Sequence, residues 1–131
     1  KYYYLQKIKN GIQFMAYSPL ARGVLAGRYL EGIPHDSRAA NPSLRETVYD
    51  FTPRKQEKIL HVKRIADSMG ISVAHLVLAY YLNRHPTISV VIGVKKVSQL
   101  ENCMQALDLE LQKDTLEEID QMFSEFVGEK I

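Results

Sequence analysis

The chain has 131 residues, 46% of them hydrophobic and 24% charged, with a formal net charge of +2. That length suits one domain, and that mix excludes disordered, collagen-like and low-complexity chains. The basic residues are scattered, which argues against a nucleic-acid partner, and no apolar run is long enough for a membrane span.

Residues 2–9 place Tyr4, Leu5 and Ile8 at helical spacing before Asn10-Gly11. This predicts the last turns of a helix with a glycine stop. From Ile12 to Tyr17 every position but Gln13 is apolar. A strand over about 12–17 follows, buried on both faces as in a parallel sheet. Pro19 cannot donate to a ladder, so the strand ends near Tyr17 or Ser18. A long loop from Leu20 to about Pro42 contains Gly23, Gly27, Gly32 and Pro34. Structureless loops of that length are often functional. Residues 43–50 form a short helix in this reading.

Thr52-Pro53 is a helix start, with threonine as N-cap and proline at the first helical position. Ile59, Val62, Ala66 and Met69 make its inward face, and Gly70 stops it. Ser72 caps the next helix, 73–84, whose apolar residues run almost all round and predict burial. The β-branched run in "TISVVIGV" predicts a second buried strand over about 87–92. Ser98 and Glu101 form an S-x-x-E capping box for a helix over about 99–107, with Val97, Leu100, Met104 and Leu107 inward. Asp114 and Glu117 suggest the same device for a final helix bearing Leu116, Ile119, Phe123 and Phe126. Alternating strands and helices predict an α/β chain with a parallel sheet. Two strands alone leave open edges, so apolar flanks and self-association, or pairing with a partner chain, are expected.

In parallel α/β folds, function gathers at the carboxyl ends of strands. The first strand ends in Tyr17, Ser18, Pro19 and Leu20; the second ends in Gly93, Val94, Lys95 and Lys96. An aromatic at a strand end can stack on a planar ring, and a glycine lets backbone approach a ligand. Free N–H groups at a helix start suit a phosphate. Arg22, Arg28 and Arg38 in the intervening loop could clamp phosphate oxygens. Together these residues outline a dinucleotide site running from Tyr17 to the segment Gly93–Gln99. The histidines at 35, 61, 75 and 85 lack metal-ligand spacing, so no metal site is read. Cys103, the sole cysteine, is read as a packing residue, and Tyr80 and Tyr81 as core residues with one hydroxyl reaching water. An internal disulfide is impossible, which fits a reducing cytoplasm, and no secretion signal is read at the amino end.

Four stretches carry a family resemblance: "AYSPLARGVLAGRY", "GIPHDSRA", "RIADSMGISVAHLVLAYYL" and "VVIGVKKVSQLENCMQAL". In this order they resemble the carboxyl-terminal part of the aldo-keto reductases, in the branch of bacterial reductases and potassium-channel β subunits. The resemblance implies part of a TIM (β/α)8 barrel: its last two βα units, strands about 12–17 and 87–92, and the carboxyl-terminal helices. It also implies NADP(H) lying across the strand ends. By resemblance, Tyr17 matches the aromatic that stacks on the nicotinamide. Ser18, Pro19, Leu20 and Ala21 match the turn that holds the pyrophosphate, with Arg22 its variable neighbour. Arg28 and Arg38 match basic residues of the loop over the phosphates. Gly93, Lys95 and Gln99 match the segment holding the 2′-phosphate, and Asn102 the adenine end. Many relatives have serine where Lys95 stands, and a glycine where Gln13 stands.

The family's catalytic tyrosine, lysine, aspartate and histidine come from the first half of the barrel, and no matching motif occurs here. No catalytic residue is therefore named. The chain is read as a single truncated segment that binds part of the cofactor without turnover of its own. A non-catalytic nucleotide-binding or barrel-completing module is the alternative.

Overall fold

A computed structural model describes residues 13–48, 52–85 and 88–124. The helix expected over 2–9, the strand residue Thr87 and the expected apolar position Phe126 lie outside the described residues.

Two strands form the sheet, β1 (Phe14–Tyr17) and β2 (Ile88–Val91). They run parallel, with Phe14 opposite Ile88 and Tyr17 opposite Val91. Among the described residues five α-helices accompany them: α1 (Pro42–Val48), α2 (Pro53–Ser68), α3 (Val73–Arg84), α4 (Val97–Met104) and α5 (Lys113–Ser124). The chain order thus alternates strand and helix, and the strands belonging to one sheet are joined by a long crossover, as a parallel pair requires.

Local chemistry sets the helix boundaries. Thr52 Oγ1 accepts the Lys55 N–H at 3.3 Å, and Pro53 occupies the first helical position of α2. At the other end Gly70 takes φ +68°, the Gly70 N–H reaches the Asp67 carbonyl, and the Ile71 N–H reaches the Ala66 carbonyl. That paired arrangement satisfies the last carbonyls of α2 and turns Ile71 back onto the core. Ser72 then accepts the His75 N–H at 3.1 Å and opens α3.

The core forms around α3. Its residues 75–80 are all buried, because β2, α2, α4 and α5 surround the helix. Ile59, Val62 and Ala66 of α2 and Ile119 of α5 are fully buried. Met69 is exposed rather than inward, because it is the residue at which α2 ends. Asn83 joins α3 to the segment before α5: its Nδ2 donates to the Ala79 and Leu109 carbonyls at 2.8 Å, and its Oδ1 accepts the Leu111 N–H at 3.1 Å. The Tyr80 hydroxyl donates to Asp120 Oδ1 at 2.5 Å. Arg84 pairs with the other oxygen of Asp120 at 2.8 Å, and the Phe123 ring meets Tyr80 edge-on at 5.4 Å. Burial and the neighbouring Asp120 carboxylate push the Tyr80 hydroxyl pKa well up, and burial pushes Tyr81 up to about 12.

Four expectations are corrected. Neither strand is fully buried: in β1 Phe14, Met15 and Tyr17 are exposed and only Ala16 is half-buried, and in β2 Ser89 and Val91 are exposed. Among the described residues the sheet has two strands, with helix α3 against one side only. Val90 and Ile92 pack on the α3 core, while Ser89 and Val91 turn away from it, beside Met15 and Tyr17. The helix expected over 99–107 begins at Val97, and its cap is not Ser98 with Glu101. Gln99 Oε1 reaches back to the N–H groups of Lys95 (2.9 Å) and Lys96 (3.2 Å). Val97, Leu100, Met104 and Leu107 are exposed rather than inward, because α4 packs on α3 through the opposite flank, where Cys103 and Ala106 meet the core. Finally, the stretch from Leu20 to Pro42 is not structureless. It holds tight turns at Ala21–Gly23 and Arg38–Ala40 and a small core of its own, with Val24, Tyr29 and Ala39 buried together.

Candidate functional site

The two strands carry their carboxyl ends to one edge. Tyr17 stands opposite Val91, and Gly93 follows two residues later. The Tyr17 side chain is 80% exposed, so its ring face is open at that edge. Gly93 is exposed, and nothing lies within 4 Å of where a Cβ would stand.

Beyond Tyr17 the backbone does something that sequence propensity does not announce. Ser18, Ala21 and Arg22 all adopt left-handed φ values, +57°, +45° and +59°. Such conformations cost about 1 kcal/mol or more for a residue with a Cβ, and they gather where the chain is shaped for a task. Hydrogen bonds hold the turn: the Ala21 N–H reaches the Ser18 carbonyl at 2.9 Å, and the Gly23 and Leu25 N–H groups both reach the Leu20 carbonyl. Pro19 is buried beneath it and Leu20 packs on the main core. The turn is therefore anchored below while Arg22 stays exposed above.

Arg28 follows five residues later, its N–H on the Gly23 carbonyl at 3.2 Å. Its guanidinium meets Asp36 at 2.8 Å. The Arg28 side chain beside Asp36 holds that carboxyl below the usual carboxylate range. This ion pair spans the loop and was not anticipated; an acidic residue eight positions from a basic one carries no periodic signal. Arg38 is exposed at the start of its own turn.

On the second strand's side, Lys95, Lys96 and Gln99 are exposed at the start of α4. The Gln99 side chain takes the N–H groups of Lys95 and Lys96, the two residues that precede the helix. Asn102 faces the cap of α3, its Nδ2 on Ser72 Oγ at 2.9 Å. Cys103 is half-buried, and burial pushes its thiol pKa up, as suits a packing residue.

The strand pair thus brings Tyr17, the Ser18–Arg22 turn and Gly93 to one edge, with exposed cations on both sides of it. An open ring, a turn shaped by three left-handed residues and a set of arginines and lysines fit a planar base joined to phosphates. An open hollow of about 440 Å³ lies elsewhere, between α2 and α5, lined by His61, Arg64, Ser68, Thr115 and Glu118 among others.

The sequence profile of the Aldo/keto reductase family matches residues 2–123. The chain belongs to the aldo/keto reductase family. It is 37% identical over 118 residues to the L-glyceraldehyde 3-phosphate reductase of Escherichia coli strain K12, covering 86% of this chain and 34% of that protein. A protein named probable voltage-gated potassium channel subunit beta, from Arabidopsis thaliana, is 37% identical over 106 residues, covering 76% of this chain and 31% of that one. This aldo/keto reductase chain thus spans about a third of the length of the curated relatives it matches. Among its described residues, no single helix is long and apolar enough to cross a membrane.

Proposed function

We propose that this chain supplies the cofactor-binding side of an NADP(H)-dependent aldo-keto reductase barrel, with β1 and β2 as the seventh and eighth strands and residues 1–131 as one segment of that barrel. The observation that carries the reading is the parallel register that sets Tyr17 beside Val91, with the left-handed Ser18–Arg22 turn next to it.

Bound at this edge, a reduced nicotinamide supplies a hydride to the carbonyl carbon of an aldehyde or ketone. Tyr17 offers its open ring as the stacking surface. The Ser18, Pro19, Leu20 and Ala21 turn holds the pyrophosphate through its backbone, with Arg22 beside it. Arg28 and Arg38 hold phosphate oxygens from the loop. Gly93, Lys95 and Gln99 receive the 2′-phosphate end, and Asn102 the adenine. The group that protonates the carbonyl oxygen comes from outside these residues, so the chain binds cofactor without turning over substrate, and its setting is cytoplasmic. Titration with NADPH, followed by quenching of its fluorescence, tests this. Saturable binding that Arg28→Ala weakens supports the reading; a flat signal at millimolar cofactor removes it.

A second reading has its own observation. Met15, Tyr17 and Val91 on the open sheet face, and Val97, Leu100 and Met104 on α4 with Leu107 in the turn after it, leave apolar surface uncovered. That surface suits a barrel-completing module that recruits a partner chain through its open strand edges. Native mass spectrometry separates the two: a strictly monomeric chain that binds NADPH leaves only the first.

A further inference from the structure

Tyr29 sits in a loop, yet only 2% of it is exposed. Its hydroxyl donates to the Arg22 carbonyl at 3.3 Å. Its ring lies beneath Gly23, with Cε2 at 3.5 Å from the point where a glycine Cβ would stand. Val24 and Ala39 are buried around it, and Ala21 packs against the same cluster. Tyr29 therefore lies against the turn along three consecutive residues: Ala21 packs on its cluster, the Arg22 carbonyl accepts its hydroxyl, and its ring stands beside Gly23. Two of those three positions are non-glycine residues in left-handed backbone. Such residues persist only where the surroundings over-determine them. A phenylalanine would fill the same space; the hydroxyl is what reaches the strained carbonyl.

We infer that Tyr29 is a positioning residue, holding Ala21 and Arg22 in the left-handed conformation that shapes the phosphate turn. The inference rests on the cofactor reading above. It also explains the placing of Arg28. Alternation along the chain buries Tyr29 and exposes its neighbour, so fixing the ring fixes where the Arg28 side chain leaves the loop.

Amide hydrogen exchange on the full chain tests this, beside NADPH titration. In Tyr29→Phe the amides of Gly23, Leu25 and Arg28 exchange roughly fivefold faster, the loss expected of one hydrogen bond, while those of 76–80 in α3 are unchanged. NADPH affinity falls by a similar factor. The double variant Tyr29→Phe with Arg22→Gly regains turn protection, because glycine takes this φ without strain. A purely space-filling role would give no such rescue. Unchanged exchange at the turn, or uniform acceleration that includes α3, overturns the inference. So does local acceleration in a chain whose NADPH affinity stays the same. If the wild-type chain binds no NADPH while exchange at the turn still responds and is rescued, the conformational tie stands and the cofactor reading falls.

Discussion

Tyr17 and Val91 stand side by side at the carboxyl end of a parallel strand pair, both exposed on the sheet face away from α3. Their register fixes the direction in which each chain leaves the sheet. One enters the left-handed turn at Ser18, the other passes Gly93 into α4. Every other residue proposed to touch the cofactor lies downstream of one of these two.

The first prediction concerns the join between α3 and the segment before α5. Asn83→Ala removes three hydrogen bonds and leaves the Leu111 N–H and the Leu109 carbonyl without their partner. A destabilisation of about 2–3 kcal/mol is expected. Urea denaturation followed by circular dichroism measures it; a loss within experimental scatter contradicts the assignment.

The cap of α3 gives a second. Ser72→Ala removes the acceptor for the His75 N–H and the partner of Asn102. A loss of about 1 kcal/mol is expected in the same assay. Asn102→Ala alone leaves the cap in place and should cost less.

Alkaline pH gives a third. Burial raises the Tyr81 hydroxyl pKa to about 12, from an ordinary value near 10. The folded chain therefore keeps this proton where the unfolded chain loses it. The stabilisation is complete below pH 10 and fades as pH rises towards 12. At about 1.4 kcal/mol per pKa unit the loss is of order 2–3 kcal/mol. Melting between pH 8 and 12 reads it. Tyr81→Phe should flatten the decline; an equally steep decline in that variant would show that other groups cause it.

The fold was legible in the sequence where its cause is local. Gly70 and Ser72 mark the end of α2 and the start of α3 because a positive φ and a capping hydroxyl are properties of single residues. The strands were legible, β1 from its apolar run and β2 from its β-branched run, and their parallel pairing from the alternation of strands and helices. Burial was not, because it depends on what lies next door. Val97, Leu100, Met104 and Leu107 have the spacing of an inward stripe, and the structure covers the opposite flank of α4. The candidate site residues were read from the strand ends and from the resemblance, and Tyr17 and Gly93 lie at one edge. Ser18, Ala21 and Arg22 carry no propensity for left-handed backbone, so that turn was invisible. Asn83 had a usable signal, as a lone amide on an otherwise apolar helix.

Exposed apolar surface gives the fourth prediction. Val97 at the start of α4 and Leu107 in the turn after it are 73% and 60% exposed. Sedimentation velocity should show association that grows with concentration. Val97→Lys with Leu107→Lys should lower it without lowering the melting temperature, because neither side chain is in the core. Concentration-independent monomer behaviour in the unaltered chain would remove this expectation.

The proposed contact between the Tyr17 ring and a nicotinamide is most directly read by saturation-transfer NMR with NADP+. Saturating the Tyr17 ring protons, assigned by comparison with Tyr17→Leu, should transfer magnetisation to the nicotinamide protons more strongly than to the adenine protons. Transfer to neither, or to the adenine alone, would contradict it.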